Sequence, residues 1–284
     1  MTLSSSDWAR QARQPAWNWP AEVRKRWPQL EPPDTFEAGL EKEAGIVFPE
    51  TGITAFMVEA QKAGANLLFN EPVIRWSADG DRVRVLTAKR QFEAGCLLLS
   101  TGARIKHLLG DVGSPLSPKR VPVYWVVPPR KKEYRLGTFP VNFWQIPVAD
   151  LADADGYREL CALPATHADG RVKVAFHNHL ADCDPETTIQ NVAAAEVEDV
   201  RALLGEYLPA LAGCEIFSNV CLYTLTPDGD FYLGPVPGHA NVLAVALACH
   251  GFKFAPALKE ILADMLEGRP PAFDVRMFSP GRFL

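Results

Sequence analysis

The chain has 284 residues, of which 48% are hydrophobic and 22% charged, and its net charge is −5. This composition is that of an ordinary globular protein, and the negative charge, without a dense Lys/Arg stripe, argues against a nucleic-acid partner. The longest apolar run, Val242 to Cys249, is far shorter than the roughly 20 residues that cross a bilayer, and no apolar signal-peptide core opens the chain. We therefore expect a cytoplasmic protein that binds neither nucleic acid nor membrane.

The cysteines are spread along the chain without a C-x-x-C pair. In a cytoplasmic protein of this size we expect them to be reduced, and most of them to be small buried side chains. No set of cysteines and histidines has the spacing of zinc ligands, so no metal site is predicted. The cysteines are Cys96, Cys161, Cys183, Cys214, Cys221 and Cys249.

The sequence pattern in the first third of the chain predicts an irregular N-terminal segment, here called the lead-in, followed by an α/β region. Residues 1–35 are rich in Trp, Pro and Arg, and they predict an irregular segment with one short helix from Ala21 to Arg26. A second helix, Thr54 to Ala63, ends at Gly64, and Ser77 to Asp81 is typical of a turn. The strands predicted from apolar or alternating runs are Gly45–Phe48, Asn66–Phe69, Pro72–Trp76, Arg82–Ala88 and Gly95–Ser100.

The remainder of the chain predicts a largely antiparallel sheet and then a return to α/β character. A Gly-, Ser- and Pro-rich stretch, Gly110 to Pro118, indicates a domain boundary. One helix with apolar residues from Val192 to Leu208 interrupts the strands and ends at Pro209. A buried strand, Val242 to Ala248, precedes a helix with an apolar stripe from Ala257 to Leu266. The intervening strands are Val121–Val127, Val141–Pro147, Tyr157–Leu163, Arg171–His177 and Glu215–Leu225.

A strand–turn–helix unit near the C-terminus places Lys253 just after Gly251. Glycine permits close backbone approach, and the first amides of a helix favour negative charge. A lysine here is suited to bind a carboxylate, because a cation near a helix N-terminus is unfavourable unless an anion offsets it. The alternative is an ordinary lysine that extends into solvent from the start of a helix.

Cys221 lies in a predicted strand of alternating character, and Tyr223 has the same parity. The two side chains should therefore project from one face of the strand. A thiol and a phenol on one face fit either the wall of a ligand site or the edge of a packed core.

Two segments, Cys221-Leu-Tyr-Thr-Leu-Thr-Pro-Asp228 and His250-Gly-Phe-Lys-Phe254, closely resemble the monomeric sarcosine oxidase and N-methyltryptophan oxidase family. The members are FAD-dependent proteins of the wider D-amino-acid-oxidase-like group. The resemblance covers most of residues 20–284, and the pairing of cysteine and lysine is its specific part. Further similar segments are Arg26-Trp-Pro28, Gly45-Ile-Val-Phe48, Ser100-Thr-Gly-Ala103 and Lys173-Val-Ala-Phe-His177.

For the cofactor, the resemblance implies FAD held covalently, with the sulfur of Cys221 bonded to the flavin 8α-methyl carbon. Such a bond requires a nucleophilic sulfur beside the flavin ring. The resemblance also places Thr101 and Gly102, which follow an apolar strand, and Gly251 with Phe252 at the cofactor.

For the substrate, the resemblance implies a secondary amine or N-methyl amino acid that is oxidised while O2 is reduced to H2O2. Lys253 matches the lysine that pairs with the substrate carboxylate, and Lys173 matches a lysine that assists oxygen reduction. His177 and Tyr223 match residues that line the pocket. The residues alone also allow structural roles in place of these pocket roles. His177 would then be a hydrogen-bonded histidine of the sheet, and Lys173 a lysine on the surface.

The predicted fold class is thus α/β (α+β), with part of a doubly wound FAD-binding domain and a mostly antiparallel substrate-binding domain. The lead-in is residues 1–35. The FAD-binding part is residues 36–115 and 231–284, and the substrate-binding sheet is residues 116–230.

The G-x-G-x-x-G turn that opens such a FAD-binding fold is absent, since no two glycines in the sequence are separated by a single residue. Two further departures are Cys161, near which the family has an aromatic residue, and Arg104, where it often has Trp. We expect a truncated form of the enzyme, or a chain completed by a partner that supplies the G-x-G-x-x-G unit. A third hypothesis is a non-catalytic remnant that cannot bind FAD alone.

Overall fold

The computed structural model describes residues 16–17, 20–148, 156–178, 180–188, 191–248 and 251–284. His250, part of the motif noted above, and Cys249 lie outside the described residues. The helices, in chain order, are α1 (Pro20–Arg26), α2 (Pro49–Lys62), α3 (Ile105–Leu109), α4 (Ala194–Tyr207), α5 (Pro209–Ala212) and α6 (Ala255–Leu266).

The strands range from two residues, as in β11, to ten, as in β7. In chain order they are β1 (Ala16–Trp17), β2 (Gly39–Leu40), β3 (Val73–Asp79), β4 (Arg82–Thr87), β5 (Gln91–Ala94), β6 (Leu97–Leu99), β7 (Ser117–Val126), β8 (Asn142–Pro147), β9 (Tyr157–Leu163), β10 (Val172–Phe176), β11 (Ala181–Asp182), β12 (Ile216–Leu225), β13 (Tyr232–Val236) and β14 (His239–Ala246).

The chain divides into two compact units. The first comprises Met1–Ile46, Val121–Leu180 and Ile189–Cys221, and the second comprises Val47–Arg120, Ala181–Thr188 and Leu222–Leu284. The domain limits expected from the sequence stay a prediction.

The first unit is built on a sheet with the strand order β7–β10–β9–β8, in which β12 also pairs with β7. Strand β11 belongs to the second unit and pairs with Lys119 and Arg120 at the start of β7. Strand β10 runs antiparallel to both of its neighbours, so that Val174 lies opposite Tyr124 on one side and Ala162 on the other. Strand β8 continues the antiparallel order, with Trp144 opposite Leu160. The predicted antiparallel sheet is confirmed in these pairs.

One face of this sheet packs on α4. The helix begins where the Glu196 carboxylate accepts a hydrogen bond of 2.8 Å from the backbone N–H of Ala193, which satisfies a donor at the helix N-terminus. Its buried side chains are spaced four and three residues apart, which is the spacing of one helix face. The core formed between helix and sheet includes Tyr124, Val126, Trp144, Leu160, Val172, Val174, Val200, Leu204, Tyr207, Leu208 and Leu211.

The second unit contains a three-stranded sheet with the order β13–β14–β6, in which β14 runs parallel to β6. Both faces of the β13–β14 pair are covered, as is usual where parallel strands occur. Leu233 and Val245 pack with Leu258 and Ile261 of α6. The opposite face contributes Tyr232, Val242, Ala244 and Ala246 to a core with Val83, Leu99, Ile105, Leu109 and Leu116.

Strands β3, β4 and β5 form a separate antiparallel sheet in the second unit. Helix α2 differs from α4 and α6, because none of its side chains is buried. Among the described residues, no helix has both the length and the apolar character to cross a membrane, and no cluster of potential ligands for a metal ion occurs in that same part of the chain.

Two predicted strands are wrong. Gly45–Phe48 and Asn66–Phe69 are apolar, but neither forms a strand, because a strand requires a hydrogen-bonded partner and neither segment pairs with one among the described residues. Strands β5 and β13 were not predicted, and α2 begins five residues earlier than expected, with a proline at its first position. The predicted turn at Ser77–Asp81 is shorter, because β3 continues to Asp79.

Substitution of Leu204 by alanine tests the core between α4 and the sheet. Leu204 is fully buried, so its removal leaves a cavity, and we expect the free energy of unfolding to fall by about 2–5 kcal/mol. Leu136 is 53% exposed, and Leu136→Ala should change the free energy of unfolding by less than about 0.5 kcal/mol. Urea denaturation followed by circular dichroism measures both. Equal losses in the two variants would contradict the assigned core.

Candidate functional site

The outer face of the first unit's sheet holds two of the predicted site residues. Val172, Val174 and Phe176 of β10 point into the core with α4, so Lys173 projects from the opposite face. His177 follows at the end of the strand, where its backbone N–H donates to the Glu159 carbonyl oxygen over 3.0 Å. By this alternation Lys173 and His177 lie on the same face.

An aromatic side chain lies beside His177 on this face. The rings of His177 and Phe143 are 5.1 Å apart with their planes tilted by 34°. Phe143 is 61% exposed, although it is a large apolar side chain in the middle of a strand. An apolar ring and an imidazole thus stand together at an accessible part of the sheet. Phe143 was not among the site residues predicted from the sequence. The sequence pattern that bears on it is its place beside Trp144, because adjacent residues of a strand point to opposite faces.

Cys161 lies between these residues in the sheet, opposite both Phe143 and Ala175. Burial raises the pKa of its thiol to about 11, although the positive charge of Lys173 acts in the opposite direction. The thiol is therefore protonated at neutral pH and acts as a small buried side chain. The small side chain of Cys161 leaves more room on this face of the sheet than the aromatic side chain that the family has near this position.

Cys221 is a free, exposed thiol in β12. Its neighbour Val220 is buried, and Thr224 is buried further along the strand, as alternation requires. The interpretation of Cys221 as a packed core thiol is therefore wrong. Tyr223, which shares the parity of Cys221, is half-buried.

The turn after β12 is fixed by an ion pair with the C-terminal end of the chain. The Arg282 guanidinium donates to both carboxylate oxygens of Asp228, with Nε–Oδ2 and Nη2–Oδ1 distances of 2.7 and 3.0 Å. These bonds hold the pKa of Asp228 down to about 2. Within the turn, the Thr226 hydroxyl donates to the Asp230 carbonyl oxygen over 2.6 Å. Sequence reasoning noted Asp228 as part of a motif, but no local pattern points to Arg282.

Lys253 lies in a short 3₁₀ turn, Phe252–Phe254, that leads into α6. Its side chain is exposed, and its Nζ atom lies 5.5 Å from the centroid of the Phe254 ring. Gly251 before it is buried, and a Cβ atom added there would collide with Leu247. Any larger residue would displace this turn, so glycine is required here. Both the anion-binding and the solvent-facing interpretations of Lys253 are compatible with this exposure.

Thr101 and Gly102 follow the parallel strand β6 and are exposed. Gly102 has a φ of +58°, which favours glycine, and open space lies where a Cβ atom would be. The turn exposes backbone at the carboxyl end of a parallel strand, where ligands bind in sheets of this kind. Arg104, one of the departures from the family pattern, forms an ion pair of 2.6 Å with Glu186.

Comparison with known proteins identifies the family. The FAD dependent oxidoreductase family matches residues 3–265. The chain belongs to this family. It is 34% identical over 264 residues to the monomeric sarcosine oxidase of Streptomyces avermitilis, covering 92% of this chain and 67% of that protein. It is 31% identical over 264 residues to the N-methyl-L-tryptophan oxidase of Salmonella typhimurium, covering 91% of this chain and 66% of that protein.

Solved structures agree with this assignment of the fold. NikD, an amino acid oxidase essential for nikkomycin biosynthesis, superposes with a TM-score of 0.81 at 19% identity, over 97% of this chain and 71% of its own. Glycine oxidase from Geobacillus kaustophilus gives 0.79 at 19% identity, over 98% of this chain and 70% of its own. The predicted family and fold class are confirmed. The chain spans about two thirds of the length of its curated relatives.

The residues present fit one end of FAD better than the other. In the first unit, the exposed thiol of Cys221 and the half-buried cation of Lys173 suit a flavin ring and an anion, and in the second unit the turn at Gly102 leaves backbone open to a ligand. The pyrophosphate requires a run of backbone amides at a glycine-rich turn, and the sequence contains no G-x-G-x-x-G. The cofactor residues implied by the resemblance, Cys221, Thr101, Gly102, Gly251 and Phe252, stay predictions.

Replacement of Asp228 by asparagine tests the ion pair behind β12. The pKa of Asp228 lies below its ordinary 3.8, so the pair stabilises the folded state above about pH 4 and this contribution is lost as the pH falls towards 2. Because the Asp228 side chain is 38% exposed, we expect Asp228→Asn to cost only about 1 kcal/mol at pH 7. Urea denaturation at pH 7, 4 and 2.5 measures the difference between the two proteins.

The difference should shrink towards zero at the lowest pH. A control variant, Asp81→Asn, changes an exposed carboxylate in the turn between β3 and β4 and should have little effect at any pH. A difference between Asp228→Asn and the unmodified protein that is independent of pH would refute the role of the Asp228 charge.

Proposed function

We propose that this chain carries the substrate-binding and flavin-ring part of an FAD-dependent oxidase that acts on secondary amines or N-methyl amino acids. The observation that carries the proposal is the outer face of the sheet, where Lys173 and His177 lie together in a chain one-third identical to a sarcosine oxidase. The substrate would lose two electrons and two protons to become an imine, which water hydrolyses. O2 would take up the two electrons and the two protons to form H2O2.

The bound flavin would accept the hydride from the substrate and pass the electrons to O2. The side chains of this protein then have positioning and electrostatic roles. Lys253 supplies an exposed cation for the substrate carboxylate, and Lys173 supplies a cation for the negative charge that develops as O2 is reduced. His177 and Tyr223 contribute polar groups to the substrate site. Phe143, whose ring lies tilted beside that of His177, offers an apolar surface for the N-alkyl or side-chain part of the substrate.

We also propose that Cys221 attaches the flavin covalently. Its exposure supports this role, since a thiol must be accessible to approach the flavin 8α-methyl carbon. Formation of the C–S bond releases two protons and two electrons, and O2, already a substrate of the proposed reaction, serves as the oxidant. Attachment would hold the ring while another group binds the pyrophosphate.

The pyrophosphate end requires a G-x-G-x-x-G unit, which is not among these 284 residues. The partners proposed are thus a small amine or amino acid, O2 and this nucleotide-binding unit. The proposed location is the cytoplasm, where FAD is available and thiols such as Cys221 stay reduced. The alternative of a non-catalytic remnant is less well supported, because both curated relatives named above are oxidases.

Replacement of Cys221 by serine tests the covalent bond. The full chain is incubated with FAD, precipitated in acid and washed, and flavin absorbance is measured in the pellet. We expect flavin in the pellet of the unmodified protein and less than about a tenth of it for Cys221→Ser, because serine is a far weaker nucleophile than a thiolate. Cys96→Ser is the matched control, since Cys96 is also a free, exposed thiol.

Flavin retained in the Cys221→Ser pellet would refute the attachment. A colourless pellet from the unmodified chain after incubation with FAD in the presence of O2 would refute attachment by this chain alone.

Replacement of Lys253 by glutamine tests carboxylate binding. A charge-assisted hydrogen bond contributes about 1.5–3 kcal/mol, so we expect KM for an N-methyl amino acid to rise by roughly 10- to 100-fold. The same substitution should leave KM for the corresponding amine without a carboxylate nearly unchanged. Oxygen consumption measures both, in protein loaded with FAD. Lys259→Gln, an exposed lysine of α6, is the control. Equal effects on the two substrates would contradict the assignment.

A further inference from the structure

The sheet of β3, β4 and β5 has one face in the core of the second unit and one outer face. Trp76 and Ala78 of β3 pack in that core together with Val83 and Val85 of β4. Because neighbouring residues of a strand point to opposite faces, the residues that alternate with these project outwards. The outer face therefore includes Arg75, Ser77, Arg84, Leu86, Gln91 and Glu93.

A cleft of about 320 Å³ opens on this outer face. Its volume equals that of roughly ten water molecules at about 30 Å³ each, which is at the lower end of the range for small-molecule sites. Among the described residues, those that line the cleft include two guanidinium groups and no carboxylate. The lining residues are Arg75, Trp76, Ser77, Arg84, Leu86 and Gln91.

A β-bulge in β3 directs Arg75 to this cleft. The pair of Val73 with Thr87 sets the register at the start of the strand. A regular ladder continued from that pair would place Arg75 opposite Val85, whose side chain packs in the core. An extra residue in β3 instead brings Arg75 opposite Leu86, on the outer face. Bulges re-aim side chains in this way and are common beside functional sites.

The polar side chains at the cleft have hydrogen-bond donors to spare. Arg84 donates from Nε to a carboxylate oxygen of Glu93 over 2.9 Å, and its two terminal nitrogens make no hydrogen bond to another described residue. Within the described part of the chain, the side chains of Arg75, Ser77 and Gln91 likewise have no ion-pair or hydrogen-bond partner. A guanidinium group presents its donors in a planar fork that matches an oxyanion.

The two guanidinium groups also have too little negative charge beside them. Ser77 lies opposite Arg84, so Arg75 and Arg84 are diagonal neighbours on adjacent strands, about 7–8 Å apart and within reach of each other. Like charges this close repel unless an anion lies between them. Glu93 is shared with Arg82, whose Nη1 atom lies 3.6 Å from its carboxylate, so one carboxylate serves two arginines. The cleft therefore keeps an excess of positive charge.

We propose that this cleft binds the oxyanion of a small organic molecule, a carboxylate or a phosphate, between Arg75 and Arg84. The Ser77 hydroxyl and the Gln91 amide would donate further hydrogen bonds to it. Leu86, which is half-buried, would contact the apolar part of the same molecule. The site goes beyond the proposed function and does not depend on it, since no residue assigned above to the cofactor or the amine substrate lies in β3, β4 or β5.

Titration of the full chain, without FAD, tests the site with defined probes. Benzoate carries a carboxylate and phenyl phosphate a phosphate, whereas benzamide has the shape of benzoate without its charge. We expect at least one of the two oxyanions to shift the amide NMR resonances of β3 and β4 saturably, with a dissociation constant of roughly 1 mM. Saturation by phenyl phosphate alone identifies a phosphate ligand, and saturation by benzoate alone a carboxylate ligand. Benzamide should cause no saturable shift.

Substitutions of two arginines on the same face identify the binding groups. Arg75→Gln should weaken binding by about tenfold or more, because it removes a charged fork from the cleft. Arg75→Lys keeps the charge but not the fork, and its affinity should lie between the two. Arg82→Gln is the matched control, since Arg82 carries the same charge but does not line the cleft, and it should change the affinity by less than about twofold. Circular dichroism verifies that the variants are folded.

Several results would overturn the inference. One is the absence of a saturable shift with either oxyanion up to about 20 mM. Another is a response to benzamide equal to that to benzoate. Unchanged affinity in folded Arg75→Gln would contradict the assigned groups, and equal weakening in Arg75→Gln and Arg82→Gln would show a general effect of charge rather than a site. None of these results bears on the proposed function, because the titration contains neither flavin nor amine substrate.

Discussion

The alternation of side chains along β10 is the constraint on which the substrate side of this protein depends. Val172, Val174 and Phe176 are required in the core with α4, and this requirement forces Lys173 to the other face. A shift of the strand by one residue would bury the lysine and expose the core, so hydrophobic burial fixes the register. Burial of the core side chains of β10 thus also determines the face on which Lys173 lies.

The second unit depends on a different constraint, the parallel pairing of β6 with β14. Its sheet is buried on both faces at β13 and β14 but ends at an apolar edge. The exposed turn with Thr101 and Gly102 follows directly after that edge strand, and Phe252 packs on Gly52 of the uncovered helix. The groups proposed to contact the cofactor are therefore attached to the least covered parts of the unit.

Sequence patterns predicted the first unit better than the second for a physical reason. The strand Tyr157–Leu163 has the predicted bounds, because its partners and the helix that covers it are all present in the chain. Asn66–Phe69, in the second unit, was also predicted as a strand from its apolar residues and forms none, since a strand depends on its neighbour as much as on its own residues. The contact of Arg282 with Asp228 spans 54 residues, beyond the reach of any local pattern. The sequence also left open whether Cys221 is buried or exposed, because this depends on the strands that pack beside β12.

The contrast between α4 and α2 shows which of the two helices the chain stabilises by packing of its own residues. Both helices have 14 residues, but α4 buries Val200, Leu204 and Tyr207 whereas α2 buries none. The substrate-side sheet can therefore fold with the residues of this chain, because its apolar face is already covered. Helix α2 gains most of its packing free energy only when another element covers it.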